Sequence, residues 1–247
     1  MSNNIEILFE NDDVLVVDKP VGLLVHEDGH NEGETLVDWF LHRQPEAAGV
    51  GEPGYSSQGK LLERSGVVHR LDRNTSGVMI LAKKQETFTY LKDQFQKRAV
   101  KKTYIALVYG LMKEEWGTIS KPIGRSPSDY RKRLSGRGAV GSIREAETDW
   151  RCLKTGQYNN EPFSYLQLNP KTGRTHQIRV HLRSISRPVV GDNLYAESEM
   201  SKSNNLELDR MALHALELRL SLPGGEEKVF TSSVPHELAE AIELIEK

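Results

Sequence analysis

Three charged side chains, Arg70, Asp72 and Arg73, stand between two apolar runs in GVVHRLDRNTSGVMIL, residues 66–81. The apolar runs have the composition of strands, so the charged residues are expected in the tight turn that joins them. A carboxylate between buried segments is costly unless it is solvated, or is held by a cation and by hydrogen bonds. Asp72 therefore predicts either a solvated turn or an acid that the chemistry of the protein requires.

Several catalytic motifs can be compared with this stretch. HRLDRNTS is loosely similar to the catalytic loop of protein kinases, but it has an extra residue between Arg70 and Asp72, and the chain has no glycine-rich loop, V-A-I-K lysine or D-F-G. The G-x-S-x-G elbow of hydrolases and the G-x-x-x-x-G-K-[ST] phosphate loop are also absent. His176 and His181 lie five residues apart, about 140° around a helix, which disfavours a paired-histidine site. We expect no metal.

The composition indicates a globular protein, since 37% of the 247 residues are hydrophobic and 28% are charged. No run approaches the roughly 20 apolar residues of a membrane span, and the first residues do not resemble a secretory signal. The single cysteine, Cys152, cannot form an internal disulfide. We therefore expect a cytoplasmic protein that does not engage a membrane.

Positive charge is clustered, although the formal net charge is −2. Residues 121–144 contain seven lysines and arginines against one acid, and residues 171–187 contain five against none. Most of these residues are arginines, whose planar guanidinium matches phosphate in a way that lysine does not. The clustering favours a phosphate-binding face over an ordinary solvated surface.

The pattern of apolar residues predicts a mixture of strands and helices. Strands are expected at IEILFE, DVLVVDKP, KKTYIALVYG, AETDWRCLK, FSYLQLN, ALHALELRLSL and KVFTSS. Helices are expected at TLVDWFLHR, ETFTYLKDQFQK and PHELAEAIELIEK, where apolar residues recur at helical spacing. Runs of strands with a few helices indicate an α+β protein.

Four motifs, in order and spacing, resemble those of the RluA-type pseudouridine synthases, which isomerise uridine in structured RNA. They are KPVGLLVH at 19–26, HRLDRNTSG at 69–77, KTYIALVYG at 102–110 and GRTHQIRVHL at 173–182, and the resemblance covers about residues 5–235. It implies an α+β catalytic domain with a mixed, mostly antiparallel sheet, flanking helices and an RNA-binding cleft. Many relatives also carry an N-terminal S4 RNA-binding domain. Because the first motif begins within the first 20 residues, we expect one catalytic domain, 1–247, without an S4 domain.

The resemblance implies that the bond between uracil N1 and ribose C1′ breaks, that the base turns, and that it rejoins through C5 without a cofactor. Asp72 becomes the essential acid, acting either as nucleophile at C1′ or as base at C2′, and both routes stay open. Arg179 becomes the cation that keeps this carboxylate ionised and oriented. Tyr104 is placed against the uracil ring.

Each assignment has a structural alternative. Asp72 could be a turn-forming aspartate bonded to nearby backbone amides. Arg179 could be the exposed arginine of an amphipathic helix, and Tyr104 an ordinary core tyrosine, as we expect for Tyr109. Position within the motifs favours the catalytic roles.

The uridine must leave the stack of the RNA before its glycosidic bond can be reached. We expect Arg70 to enter the gap that the uridine leaves in the stack, and the basic segments to contact phosphates. The residues assigned to RNA contact are Arg70, Arg73, Lys171, Arg174, His176, Arg131, Lys132 and Arg133. The expected partner is structured ribosomal or transfer RNA, bound by a monomer without an obligatory protein partner. The turn residues Thr75, Ser76 and Gly77, and Lys19, Pro20 and Gly22 of the first motif, are expected to be structural.

Two other classes of function compete with an isomerase. An RNA-binding module without catalysis would explain the basic segments equally well, but it has no use for an acid in a phosphate-binding groove. A glycosidase or small-molecule lyase would need paired carboxylates. The motif contains only one acid, Asp72, which disfavours this class.

Overall fold

A computed structural model describes residues 5–27, 33–55, 59, 61–196 and 206–245. The chain forms two compact units, Met1–Lys101 with Ala215–Ser232, and Lys102–His214 with Ser233–Lys247. In chain order the strands of the described residues are β1 (Glu6–Glu10), β2 (Val14–Lys19), β3 (Gly54–Tyr55), β4 (Leu61–Leu62), β5 (Ser76–Ala82), β6 (Lys101–Tyr109), β7 (Trp116–Ser120), β8 (Ile123–Arg125), β9 (Arg133–Ser135), β10 (Val140–Arg144), β11 (Glu147–Tyr158), β12 (Glu161–Pro170), β13 (Leu213–Ser221) and β14 (Glu227–Thr231). The helices are α1 (Leu36–Arg43), α2 (Gln85–Gln96), α3 (Gln177–Ser184) and α4 (His236–Leu244), with a 3₁₀ turn at Pro45–Ala47.

In the first unit the strands follow the order β1-β2-β5-β13, and β14 pairs with β13. The β2–β5 pair is antiparallel, with Val17 opposite Met79, and every residue of β5 is buried. A strand that is buried on both faces reads as a continuous apolar run, which is why VMIL follows the charged turn. The mixed α+β fold and its mostly antiparallel pairing are as the sequence predicted.

Two helices of the first unit begin and end near their predicted bounds. Thr35 caps α1 through a capping box with Asp38, in which each side chain bonds the backbone amide of the other residue. On α2 the buried residues Phe88 and Leu91 lie at helical spacing. The α2 residue Gln94 bonds both the amide and the carbonyl of Ser221 in β13, which fixes this helix on the sheet.

In the second unit the strand order is β6-β12-β11-β7, with antiparallel pairs throughout. The long β11–β12 hairpin turns at Asn159 and Asn160, both with positive φ, as a tight hairpin turn requires. Residues 105–109 of β6 are buried, as KKTYIALVYG predicted, and residues 106–109 pack in a core with Phe163 and Leu166. The strand predicted at AETDWRCLK is longer than expected and continues to Tyr158.

A smaller antiparallel sheet, with the order β10-β8-β9, lies within the basic segment 121–144. All five residues of β10 are exposed, and because alternate residues of a strand point to opposite faces, neither face of β10 is covered. Among the described residues, no helix is long and apolar enough to cross a membrane.

Candidate active site

Asp72 begins a tight turn immediately before β5. The amide of Thr75 donates to the carbonyl oxygen of Asp72 at 3.1 Å, and the Asp72 side chain is half-buried. The turn leads directly into a fully buried strand, and its acid lies beside two exposed residues, Arg73 and Asn74. The role of the Asp72 carboxylate stays a prediction.

Lys19 stabilises the turn through hydrogen bonds to main-chain carbonyls. Its side chain is fully buried, and its Nζ donates to the carbonyls of Pro20 at 2.7 Å, Leu23 at 2.9 Å and Arg73 at 3.2 Å. A buried ammonium is costly unless it is paired or fully hydrogen-bonded, and three carbonyl dipoles meet that need here. Because the Arg73 carbonyl follows Asp72 directly, Lys19 fixes the backbone that carries the acid. The structural role predicted for the first motif is confirmed.

A second set of bonds joins the first motif to the same turn. The amide of Gly22 donates to the Arg73 carbonyl at 2.8 Å, and Arg73 Nε donates to the Gly22 carbonyl at 3.0 Å. Gly22 has φ +84°, a conformation that favours glycine. Arg70 Nη1 lies 3.2 Å from His26 Nε2. Arg70, Asp72 and Arg73 thus form one group in the first unit, with both arginines exposed.

Gly77 allows β5 to approach its neighbour β13. Its φ is +118°, and a Cβ at this position would lie 2.2 Å from the carbonyl oxygen of Ala215. Any other residue would push the two backbones apart. The sequence expectation of a close approach or a positive φ is confirmed on both counts.

His69 anchors the N-terminal side of the turn. Its Nε2 accepts a hydrogen bond from the amide of Ile80 at 3.2 Å, and its ring stacks on Phe95 of α2 with centroids 4.7 Å apart. This bond requires Nε2 to be unprotonated. The ring therefore acts as a spacer between β5 and α2.

Tyr104 lies on β6 of the second unit, opposite Leu168 of β12, and is half-buried against the core of that unit. Tyr109 is buried, as expected of a core tyrosine. Lys102 lies two residues before Tyr104 on the same strand, so the two side chains share a face. Burial lowers the pKa of Lys102 to about 8, and its Nζ donates to the Thr172 carbonyl at 3.3 Å.

Arg179 is buried on α3, with 7% of its surface exposed, so it is not the exposed arginine of an amphipathic helix. Its Nε and Nη2 donate to the two carboxylate oxygens of Asp192 at 2.7 and 2.8 Å. The guanidinium carbon also lies 4.9 Å from the ring centroid of Tyr195. The two hydrogen bonds to Asp192 and the contact with the Tyr195 ring together fix the orientation of the guanidinium group.

Asp192 is itself held in place. Its side chain has no exposed surface, and one of its oxygens also accepts from the amides of Leu194 at 3.0 Å and Tyr195 at 3.2 Å. The Tyr195 hydroxyl accepts from the amide of Arg133 at 2.8 Å and lies 2.8 Å from His176 Nδ1. His176, predicted to contact RNA, thereby joins the network that orients Arg179.

Gln177 fixes the start of α3. Its amide oxygen accepts from the Thr172 hydroxyl at 2.6 Å and from the amide of Arg174 at 3.0 Å, and its amide nitrogen donates to the Glu147 carbonyl at 2.9 Å. His176, which precedes the helix, has φ +57° and donates no side-chain cap. The buried amide of Gln177 therefore ties the start of the helix to the loop 172–174 and to β11.

The other residues predicted to contact RNA lie in the second unit and differ in their surroundings. Arg131 is paired with Asp129 through two bonds of 3.0 and 2.8 Å, which lower the pKa of Asp129 to about 2. Lys171 is paired with Glu147 at 2.6 Å and Asp149 at 3.0 Å, which raise its pKa.

The side chain of Arg174 is anchored to backbone, since its Nε donates to the Glu145 carbonyl at 3.1 Å. Arg133 Nη1 donates to the carbonyls of Tyr130 and Lys132 at 3.2 and 3.1 Å. Lys132 is half-buried beside them. These contacts hold both guanidinium groups against main-chain carbonyls.

Sequence reasoning missed Asp192 and Tyr195. They stand in GDNLY, residues 191–195, which resembles an ordinary glycine–aspartate turn. The one signal was an acid with an aromatic residue three positions later in a segment flanked by apolar residues. In the described part of the chain, no group of three or more His, Cys, Asp or Glu side chains is placed to hold a metal ion.

A family model described as RNA pseudouridylate synthase matches residues 13–184. The chain belongs to this family. The match covers the turn of Asp72, the strand of Tyr104 and the helix of Arg179, so the resemblance drawn from the motifs is confirmed.

Among curated relatives, an uncharacterised RNA pseudouridine synthase of Synechocystis is 38% identical over 94% of this chain and 65% of its own length. Ribosomal large subunit pseudouridine synthase D of Nitrosomonas europaea is 36% identical over 98% of the chain and 65% of its own length. The Escherichia coli K12 protein of the same name is 34% identical over 98% and 70%. The chain spans 59–65% of the length of the first four relatives it matches.

Solved structures agree on the fold. Human RNA pseudouridylate synthase domain containing 1 superposes with a TM-score of 0.73 and 29% identity, covering 94% of this chain and 84% of that one. Human RNA pseudouridylate synthase domain containing 4 gives a TM-score of 0.68 at 24% identity, a likeness of fold.

Proposed function

We propose that this protein isomerises uridine to pseudouridine in structured RNA. The N1–C1′ bond of uridine breaks, the base turns, and C5 bonds to C1′; the C5 proton leaves and N1 gains a proton, so atoms balance without a cofactor. The observation that carries the proposal is the family match over residues 13–184, which includes every motif residue assigned to chemistry.

Asp72 is the group proposed to act on the ribose. Its carboxylate either attacks C1′ or removes the proton from C2′, and both routes need an ionised, fixed side chain. The bonds of Lys19 and Gly22 to the Arg73 carbonyl support this role, because they fix the turn without using the carboxylate. A preformed position of the acid lowers the entropic cost of reaching the transition state.

Arg179 is proposed as the cation that keeps the catalytic carboxylate ionised, and Tyr104 as the residue that stacks on uracil. Asp192 supports the assignment of Arg179, since a bidentate pair orients a guanidinium before substrate arrives. Tyr104 is half-buried next to the buried residues 105–109 of β6, a position suited to a ring that contacts a base.

Large-subunit ribosomal RNA is the proposed substrate, because relatives of 34–36% identity are named ribosomal large subunit pseudouridine synthase D. Transfer RNA is the alternative. Arg70 is proposed to fill the gap left by the flipped uridine, and Arg73, Arg174, His176 and the segment 131–133, together with Lys171, to contact the RNA. We propose that the protein works as a cytoplasmic monomer, without metal or cofactor and without an obligatory protein partner.

The experiment uses purified protein and unmodified large-subunit ribosomal RNA transcript that carries tritium at uridine C5. Conversion releases one tritium for each pseudouridine, because C5 loses its hydrogen. We expect release in buffer without nucleotide or redox cofactor, and in EDTA on RNA that stays folded. Tight binding without tritium release from either ribosomal or transfer RNA would identify a binding module and refute the proposal.

A further inference from the structure

Lys102 is a sparsely bonded lysine in the strand that carries Tyr104. Its Nζ donates to one acceptor among the described residues, the carbonyl oxygen of Thr172 at 3.3 Å. An ammonium group has three donors, so this long bond leaves two of them for other acceptors. Within the described part of the chain, no acidic side chain is paired with Lys102, whereas Lys171 is paired with two.

Keeping this charge in the fold destabilises the protein. Burial is the cause that lowers the pKa of Lys102 to about 8. A charged amine that leaves water without an acidic partner raises the free energy of the folded chain, which a methionine of similar length would not do. The fully buried Lys19 differs, because its Nζ donates to three carbonyls. The position of Lys102 is therefore better explained by function than by stability.

The surroundings of Lys102 are fixed by side chains that also position α3. Asn169 Nδ2 donates to the Lys102 carbonyl at 3.1 Å, which holds the backbone of the lysine. Thr172, whose carbonyl accepts from Lys102, donates its hydroxyl to the Gln177 side chain at 2.6 Å. A Cβ at Gly173 would lie 3.9 Å from Nζ, so the glycine keeps this side of the amine open. The amine is therefore held beside the loop that leads into α3.

Lys102 and Tyr104 are neighbours on one face of β6. They stand two positions apart, so their Cα atoms are about 7 Å apart and their side chains leave the strand in the same direction. Both are half-buried, and each keeps surface that a ligand can reach. A uracil ring stacked on Tyr104, as proposed above, would present its edge to groups beside the tyrosine. Lys102 is such a group.

The proposed reaction creates a negative charge that none of the roles assigned above meets. When the N1–C1′ bond breaks, its electron pair stays on the base, and the charge spreads over N1 and the two carbonyl oxygens of uracil. This holds whether Asp72 attacks C1′ or removes the C2′ proton. When C5 bonds to C1′, the ring becomes neutral again. A donor that binds the anion more strongly than the neutral base therefore accelerates bond cleavage.

We infer that the Lys102 ammonium donates a hydrogen bond to a carbonyl oxygen of uracil and stabilises the negative charge of the departing base, which makes Lys102 a catalytic residue. The inference rests on the proposed function for the identity of the substrate. The lysine transfers no proton in this role, so the balance of atoms given above is unchanged. Such a bond is stronger in a site that excludes water than in solution, because the local dielectric constant is lower.

The test compares Lys102→Met with Lys101→Met, which changes the exposed lysine next to it in the same strand. Single-turnover conversion is measured at saturating protein on one large-subunit ribosomal RNA transcript, made either with uridine or with 5-fluorouridine. Fluorine at C5 withdraws electrons, so the 5-fluorouracil anion is more stable and departs more readily. Liquid chromatography of nuclease digests measures the appearance of pseudouridine or of the rearranged 5-fluoro nucleoside.

Lys102→Met should convert uridine about 100-fold more slowly than wild type, the usual effect of removing one donor from an anion-stabilising site. On 5-fluorouridine the loss should shrink to about tenfold or less, because a more stable anion depends less on the donor. Lys101→Met should match wild type on both transcripts. The melting temperature of Lys102→Met should be no lower than that of wild type, which excludes a folding defect as the cause of slow conversion.

Equal fractional losses on the two transcripts would overturn the inference, because a displaced strand or a misplaced tyrosine slows both reactions alike. Full activity of Lys102→Met at saturating protein would also overturn it. In that case a slope of log K against log salt that is shallower than wild type by about 0.7–0.9 would assign the lysine to a phosphate contact instead. Absence of conversion of either transcript by wild type would refute the proposed function, and this inference with it.

Discussion

Replacement of Lys19 by methionine tests how the turn that carries Asp72 is held. The side chain is fully buried, and its Nζ donates to the carbonyls of Pro20, Leu23 and Arg73. Methionine keeps most of the length of the side chain and its apolar stem, but it removes the charge and all three donors. The change therefore isolates the hydrogen bonds of the ammonium group.

The expected loss can be worked from these bonds. The Arg73 carbonyl keeps the amide of Gly22 at 2.8 Å, so the cost falls on the other two carbonyls. Each loses a charge-assisted partner in a buried place, which costs about 1–3 kcal/mol. Removal of a buried charge returns part of this, because the ammonium no longer has to be desolvated. We expect Lys19→Met to lower the free energy of unfolding by about 2–4 kcal/mol.

Hydrogen exchange shows which part of the chain loses stability in Lys19→Met. This local measurement is needed because the chain has two units, so its global unfolding need not be two-state. Peptides covering 14–25 and 66–82 should exchange faster in Lys19→Met, and peptides of β11 and β12 should not. Displacement of the Asp72 backbone should also slow single-turnover conversion at least tenfold. The control is Lys97→Met, an exposed change expected to stay within about 0.5 kcal/mol. Unchanged exchange at 66–82 in Lys19→Met would refute the idea that this lysine fixes the turn.

Two further predictions concern buried charges of the second unit. Asp192→Asn removes the carboxylate that is paired with the Arg179 guanidinium. The free energy of unfolding in urea should therefore fall by about 2–4 kcal/mol, and single-turnover conversion should fall at least tenfold. The exposed change Asn193→Ala should match wild type, and equal activity of Asp192→Asn and wild type would show that Asp192 does not support the site. Burial lowers the pKa of Lys102 from 10.5 to about 8, so between these values the unfolded chain binds more protons than the folded one, and stability should rise with pH by at most about 3 kcal/mol. Lys102→Met should lack this rise and be more stable than wild type at pH 7; parallel stability curves for the two proteins from pH 7 to 10.5 would contradict the assignment.

Features that depend on local pattern were predicted from the sequence. The apolar runs around Asp72 form the buried strand β5 and an isolated β-bridge at Val67. A short apolar run between turn signals is typical of a buried strand. Gly77 was expected to permit a close approach, and it lies against Ala215 with positive φ. Such features depend on a residue's own steric properties, which sequence displays.

Features that depend on distant partners were not predicted. The charge of the buried Arg179 is paired with Asp192, which lies thirteen residues later in the sequence. Asp192 stands in a turn, and no helical or strand periodicity in the sequence predicts that it contacts α3. The small sheet of β8, β9 and β10 was missed because its strands have three to five residues and β10 is wholly exposed, so no alternation of apolar and polar residues marks it. The neutralisation of Lys171 by Glu147 likewise depends on a strand that enters from another part of the sequence.

The essential role proposed for Asp72 is tested most directly by Asp72→Asn in a single-turnover assay. The amide keeps the size and much of the hydrogen-bonding capacity of the side chain, but it removes the negative charge that both candidate routes require. With tritium-labelled large-subunit ribosomal RNA transcript, and protein prepared free of host synthases, tritium release should fall below detection. RNA affinity should stay within a few-fold of wild type, and the exposed change Asp12→Asn should leave both unchanged. Substantial pseudouridine formation by Asp72→Asn would contradict the assignment of this acid.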